Sequence, residues 1–213
     1  MLDKLQYISQ GETSQEQIEN ISHTLAAGCK WVQLRFKNAP KEEFFWVAQK
    51  VKELCDSYKA MLTINDHVNI AQAIDADGVH LGLQDMSIAQ ARDILGYEKI
   101  IGGTANTLED VLSRVREECN YIGLGPFRFT PTKKKLSPIL GAEGIKQIMQ
   151  ELTLLSIEMP VYAIGGITLK DVVKIMDTGV AGVAVSGEIT NHPNKKELLE
   201  NFNQLLNGQI NYS

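Results

Sequence analysis

The sequence predicts a closed (β/α)8 TIM barrel: eight parallel strands, each followed by a helix. Short apolar segments alternate with longer amphipathic ones along the whole chain, eight of each. Regular alternation of this kind means parallel strands joined by right-handed crossovers. The 213 residues are enough for eight such units, at the lower end of the size range of these barrels. The competing architecture, a doubly wound sheet, normally wants Gly-x-Gly-x-x-Gly after its first strand, and Gly11 stands alone there.

The elements follow in order. The first strand, Leu5–Ser9, leads to a helix beginning near Ser14, where Ser14-x-x-Gln17 fits a capping box. The second strand, Lys30–Phe36, contains Trp31-Val32-Gln33-Leu34, short and apolar as a buried parallel strand should be. Its helix begins near Lys41 and carries Phe44, Val47, Ala48, Val51, Leu54, Cys55 and Tyr58 at spacings of three and four. Strands at Ala60–Asn65 and Gly78–Leu81 precede helices from Val68 and from Ser87, the latter with a second capping box, Ser87-x-x-Gln90. Lys99–Gly103 and Tyr121–Gly125 are followed by helices from Thr107 and Gly141. Val161–Gly165 and Ala181–Ser186 complete the barrel, with helices from Thr168 and Asn194. In the last helix Leu198, Leu199, Phe202, Leu205 and Leu206 form the apolar stripe. The longest irregular piece runs from Pro126 to Leu140, a length at which loops often form lids or binding sites.

A composition of 44% hydrophobic and 22% charged residues suits one globular domain over residues 1–213. The net charge of -5 argues against a nucleic-acid partner, which usually leaves a basic footprint. No apolar run approaches the roughly 20 residues of a spanning helix, and Met1-Leu2-Asp3-Lys4 opens no secretory segment. The expected location is therefore cytoplasmic, without a membrane partner. Cys29, Cys55 and Cys119 show no metal-like spacing and are expected as reduced, structural thiols. Oligomeric state stays open, a homo-oligomer included.

Active sites of such barrels lie at the C-terminal ends of the strands. The sixth strand runs into Gly125-Pro126-Phe127-Arg128-Phe129-Thr130-Pro131-Thr132-Lys133, followed by Lys134 and Lys135. Thr130, Thr132 and Lys133 can surround an anion with neutral donors and a cation, and in an acidic chain this points to a phosphate-bearing substrate. On the second strand Gln33, Arg35 and Lys37 project together, while Leu34 and Phe36 project oppositely. Two cations facing a barrel mouth are costly to desolvate without an anion; an arginine–carboxylate layer inside the barrel is the alternative. Asn65-Asp66 ends the third strand and Gly82-Leu83-Gln84-Asp85 follows the fourth. The two carboxylates could hold magnesium, which usually takes one or two protein carboxylates plus water and phosphate oxygens. Asn-Asp is also a common helix start.

The seventh and eighth strands end in Gly165-Gly166-Ile167-Thr168 and Val185-Ser186-Gly187-Glu188. Loops there frequently bind phosphate through backbone amides, and glycine permits the close approach; two tight turns are the plainer reading. Asp75 and Asp77 fall at the opposite, stability end as caps or surface charges. His80 lies within a strand and is expected as a hydrogen-bonded interior group, while His23, His67 and His192 show no paired spacing.

Val32–Lys37 (VQLRFK), Ile64–Ala71 (INDHVNIA), Ala76–Asp85 (ADGVHLGLQD), Gly123–Lys133 (GLGPF…TPTK) and Ala163–Thr168 (AIGGIT) together resemble the thiamine-phosphate synthase family. The resemblance runs in order to about residue 190. It implies a transferase that joins hydroxymethylpyrimidine diphosphate to thiazole phosphate, giving thiamine monophosphate and pyrophosphate. By that resemblance Gln33, Arg35, Lys37, Asn65 and Lys133 would hold the pyrimidine diphosphate, and Asp66 and Asp85 would bind magnesium. Thr130, Pro131, Thr132, Gly166, Ser186 and Gly187 would receive the thiazole phosphate, and Thr104 stands where the family usually has a serine near the pyrimidine. Arg35, Lys37, Lys133 and Thr104 would then act in catalysis. Three departures stand out: Phe127-Arg128-Phe129 in place of Ile-Phe-Pro, Asn106 in place of a common histidine, and a shifted Val185-Ser186-Gly187. Rival readings are a thiazole tautomerase, which would need that histidine, a non-catalytic barrel binding a phosphorylated metabolite, and a sugar-phosphate isomerase.

Overall fold

Eight parallel strands close in chain order into one barrel in the computed structural model, which describes residues 2–129 and 138–209. They are β1 (Leu5–Ile8), β2 (Trp31–Leu34), β3 (Met61–Asn65), β4 (Gly78–Leu81), β5 (Ile100–Ala105), β6 (Tyr121–Leu124), β7 (Val161–Ile164) and β8 (Gly182–Val185), with β8 pairing back to β1. The helices are α1 (Ser14–Ala26), α2 (Lys41–Ser57), α3 (Val68–Ala73), α4 (Ile88–Leu95), α5 (Leu108–Arg116), α6 (Gly141–Leu154), α7 (Val172–Met176), α8 (Gly187–Asn191) and α9 (Lys195–Leu206).

Parallel register and strict alternation sort the inward side chains into layers. Trp31 and Tyr121 start the strands at the bottom, and Tyr162 stands one layer higher. The three rings meet edge to face with centroids 4.9, 5.1 and 5.7 Å apart and plug the barrel floor. Above them stand Gln6, Thr63 and Gly102, then Gln33, His80, Gly123 and Ala184. Gly102 has to be glycine: a Cβ there would lie 2.1 Å from the Tyr121 ring. A ladder of hydrogen bonds climbs through these layers. Gln6 Nε2 donates to Tyr121 Oη at 3.2 Å, Tyr121 Oη meets His80 Nδ1 at 3.0 Å, and His80 Nε2 meets Thr104 Oγ1 at 3.0 Å. His80 is thus the hydrogen-bonded interior residue expected of it.

Several local expectations need correction. The α1 capping box is built by Thr13 and Glu16 rather than Ser14 and Gln17. Gln17 instead turns inward and its Nε2 donates to Gly11 O at 2.9 Å. The Ser87–Gln90 box forms as expected. β2 is shorter than expected and ends at Leu34, so Arg35 and Lys37 follow the strand instead of extending it. β5 is longer and includes Thr104. The segment after Thr168 opens with a 3-10 turn, Leu169–Asp171, before α7. A short helix, α8, starts directly after Ser186, where only a loop was expected, so the last unit carries two helices. In the α2 stripe Phe44, Val47, Ala48, Val51 and Cys55 are buried, Leu54 is partly buried and Tyr58 is exposed. All three cysteines are buried and free.

Candidate active site

The C-terminal mouth collects residues from β2, β3, β4, β5, β7 and β8. Gln33 is buried on β2, and its Nε2 donates to Asn65 Oδ1 at 2.8 Å. Its Oε1 is also buried and makes no hydrogen bond among the described residues, an unmet acceptor facing the barrel interior. Arg35 leaves the strand with its N–H donating to Ser9 Oγ at 2.9 Å. Burial draws the Arg35 pKa down from its ordinary value, and the Asp66 charge opposes this. Lys37 is exposed in the turn that follows.

Asp66 occupies the left-handed region at φ 65, tolerable for a short carboxylate side chain, and its N–H donates to His80 O at 3.0 Å. Burial pushes its carboxyl up to about 7; the hydrogen bond and charge of Asp85 push the same way, against the attraction of Arg35 and Lys37. Arg35, Lys37 and Asp85 thus all act on Asp66 within one mouth. Asp85 folds back over its own turn, accepting from Gly82 N at 2.6 Å. This donor set suits a hard divalent cation. Among the described residues no group of three or more His, Cys, Asp or Glu side chains could hold a metal, so a cation between Asp66 and Asp85 would complete its shell with water and substrate oxygens, as magnesium does.

Thr104 points inward to His80. Asn106, two residues further, is buried, and its Nδ2 donates to Gly125 O and, at 3.2 Å, to Ala105 O. On the opposite wall the β7–α7 loop turns through Gly165 (φ 102) and Gly166 (φ 68), and a Cβ on Gly165 would lie 2.8 Å from Pro126. Since Ile164 pairs with Ala184, Gly166 and Ser186 leave adjacent strands at the same level, with Gly187 opening α8. Thr130, Pro131, Thr132 and Lys133 lie outside the described residues.

The use of Arg128, open in the sequence, is now plain. Its guanidinium grips Asp171 through two hydrogen bonds of 2.7 and 2.8 Å and donates to Gly166 O at 2.7 Å. Asp171 in turn accepts from Thr168 N and Oγ1, both at 2.8 Å. One carboxylate thus fastens the glycine loop to the base of the β6–α6 loop. Thr168-x-x-Asp171 was a readable capping pattern. A second residue missed by sequence reasoning is Arg114 of α5, buried against the outer wall of β5, and a charge on the stripe begun by Val111 was its signal.

The opposite end of the barrel holds a cavity of about 540 Å³ lined by Asp56, Lys59, Asp77, Glu98 and Lys99 among others. It carries both signs of charge and none of the strand-end residues. Asp77 caps the sheet there, accepting from Leu62 N at 2.8 Å, and Asp75 pairs with Lys99 at 2.5 Å.

The thiamine monophosphate synthase family model matches residues 5–189. A thiamine-phosphate synthase from Flavobacterium johnsoniae is 56% identical over 210 residues, covering 99% of each chain. One from Bacteroides thetaiotaomicron is 50% identical over 185 residues, 87% of this chain and 88% of that one. Among solved structures, a thiamine phosphate pyrophosphorylase from Pyrococcus furiosus superposes with a TM-score of 0.83 at 29% identity, covering 98% of this chain and 97% of the other.

Proposed function

This chain belongs to the thiamine monophosphate synthase family, and from that premise we propose that it joins a hydroxymethylpyrimidine diphosphate to a thiazole phosphate, releasing pyrophosphate. The observation that carries the reading is the shared mouth in which Arg35, Lys37 and Asp85 all act on the Asp66 carboxyl. Such a mouth fits a reaction in which negative charge gathers on a departing diphosphate. The exocyclic methylene it leaves is stabilised by the electron-rich aminopyrimidine, so the protein's work is to bind charge and hold the thiazole nitrogen in line.

In this reading Arg35, Lys37 and Lys133 surround the diphosphate. Gln33 Oε1, buried and unmet among the described residues, takes the exocyclic amine of the pyrimidine, with Asn65 fixing the amide from the other side. Thr104, held by His80, faces the pyrimidine ring. Thr130, Pro131, Thr132, Gly166, Ser186 and Gly187 receive the thiazole phosphate. Asp66 and Asp85 would hold magnesium, which when bound neutralises phosphate oxygens of the leaving group. The buried, reduced thiols accord with a cytoplasmic enzyme.

No histidine acid or base is required. That separates this reading from a tautomerase, because the side-chain amide of Asn106 is committed to two backbone carbonyls and does not titrate. The test is to mix both substrates with magnesium and measure pyrophosphate and thiamine monophosphate. Both products should form together; pyrophosphate release no greater than with either substrate alone would refute the proposal.

A further inference from the structure

Arg114 is buried to 5% exposure, yet it belongs to no substrate contact described above. Its Nη1 pairs with Glu117 at 2.7 Å, a partner on its own helix turn. The other two donors leave the helix. Nη2 donates to Gly82 O at 2.9 Å, just beyond β4, and Nε donates to Thr104 O at 3.2 Å, near the end of β5. Gly82 is also the residue whose N–H fixes the Asp85 carboxylate, and Asp85 N approaches Gly82 O at 3.4 Å. One guanidinium thus spans the turn that carries Asp85 and the strand end that carries Thr104. The sequence leaves room for it, since a Cβ on Gly103 would lie 2.7 Å from Arg114 Cδ and 2.8 Å from Nε.

A helix anchor alone would not need this geometry. Apolar side chains from α5 fasten a helix to a strand without desolvating a charge, and a buried charge is costly unless its geometry is well satisfied. The planar fork of arginine is suited to bridging two acceptors at a fixed separation, which lysine cannot reproduce.

We propose that Arg114 is a positioning residue for the mouth, holding the Asp85 turn and the Thr104 strand end at a fixed separation so that the divalent-cation carboxylates and the pyrimidine-facing hydroxyl stay in register. The inference rests on the reading of Asp66 and Asp85 as the cation site. Outer-shell groups that orient metal ligands typically change affinity by about 10- to 100-fold when lost.

The test compares the full-length wild type, Arg114→Lys and Gly103→Ala, which displaces Arg114 without removing it. Manganese, the probe for the cation site, is titrated onto each protein alone and the unbound ion followed by electron paramagnetic resonance. Circular dichroism checks that each variant is folded, and steady-state kinetics follow under varied magnesium. The expected result is a manganese Kd raised roughly tenfold in both variants. The magnesium requirement and the pyrimidine diphosphate KM should rise in parallel, with the thiazole phosphate KM nearly unchanged. Should Arg114→Lys fail to fold, Gly103→Ala decides alone. If manganese binding is unchanged in the folded variants while both KM values or thermal stability shift together, Arg114 is a structural anchor only and the proposal fails. If the wild type binds no manganese on its own, the magnesium requirement of the variants decides; if the wild-type reaction is also independent of added magnesium, the cation-site reading fails, and this inference with it.

Discussion

Asp66→Asn should make the metal-free protein more stable while removing most of its activity. The substitution isolates charge. Asp66 sits at φ 65, a conformation asparagine adopts as readily as aspartate, and its backbone bond to His80 O is untouched. What disappears is one of two neighbouring carboxylates. Burial first, and then Asp85, raise the Asp66 carboxyl from 3.8 to about 7, despite Arg35 and Lys37. A raised carboxyl pKa means that the folded state holds the proton more tightly than the unfolded chain does. Its contribution is therefore intact below pH ~4, is lost as pH rises from ~4 to ~7, and opposes folding fully by pH 8. The full rise corresponds to about 4 kcal/mol against the ionised form. Asp66 is partly exposed, and solvent screening brings the expected penalty nearer to about 1–2 kcal/mol.

The assay is urea unfolding of wild type and variant followed by tryptophan fluorescence, in chelator at pH 8 and at pH ~3.5, and again with magnesium at pH 8. The asparagine variant should be more stable by about 1–2 kcal/mol in chelator at pH 8 and lose that advantage below pH ~4. Magnesium should stabilise the wild type and leave the variant unchanged. Pyrophosphate release should fall roughly 100-fold. A variant less stable than wild type at pH 8 in chelator, or stabilised by magnesium as much as the wild type, would refute the reasoning.

Two further outcomes follow from the same geometry. A double-mutant cycle on Arg128→Ala and Asp171→Ala should give a coupling of about 1 kcal/mol, the upper range for a half-exposed pair because the contact is bidentate. Burial tends to raise the Asp171 carboxyl, but hydrogen bonds from Arg128 and Thr168 and the Arg128 charge leave it below its ordinary value. The coupling should accordingly be complete above the usual carboxylate range and vanish as pH falls below it; a pH-independent coupling would show that the ion pair is not its source. The thiols should be inert in the native state. Burial pushes Cys29 to about 12 and Cys119 to about 11, and raises Cys55 as well. A thiol-reactive dye at pH 8 should label none of the three before unfolding and all of them after, and rapid labelling of the folded protein would contradict the burial seen here.

The strand order was legible because a parallel barrel writes one signal eight times: a short apolar run, then an amphipathic stripe. Errors gathered where that signal is weakest. Ser14 and Thr13 are both competent caps, and the choice falls to Thr13 because Gln17 is drawn inward to Gly11 O. The five-residue α8 has too few turns to show a period. At the site, Gln33, Arg35, Asn65, Asp66 and Asp85 could be read from strand ends, since position alone brings them to one face. The supporting residues were harder to read. Thr168-x-x-Asp171 marks a cap but not the Arg128 guanidinium that Asp171 also holds, and Arg114 acts on the backbone carbonyls of Gly82 and Thr104, which any residue supplies, so no motif in the linear chain marks those partners. Only the register of β4 against β5, and the path of the β6–α6 loop beside β7, bring them together.

The vertical order of the barrel interior explains why charge at one end is effective. The floor is three interlocked aromatic rings, and burial raises the Tyr121 and Tyr162 hydroxyls, the latter to about 12, so both stay protonated at neutral pH. Above them Gln6, Thr63 and His80 form a hydrogen-bonded column without carboxylates or ammonium groups. Charged side chains are first met at the rim, where Arg35, Lys37, Asp66 and Asp85 stand over this low-dielectric stem. Low-dielectric walls beneath a charged opening focus its field outward and raise the local concentration of an oppositely charged ligand. An ionised group placed deep in the column would dissipate that field and would itself be expensive to bury. The ladder from Tyr121 through His80 to Thr104 therefore serves two ends, satisfying interior polar groups without charge and presenting at its top a hydroxyl whose direction is set from below.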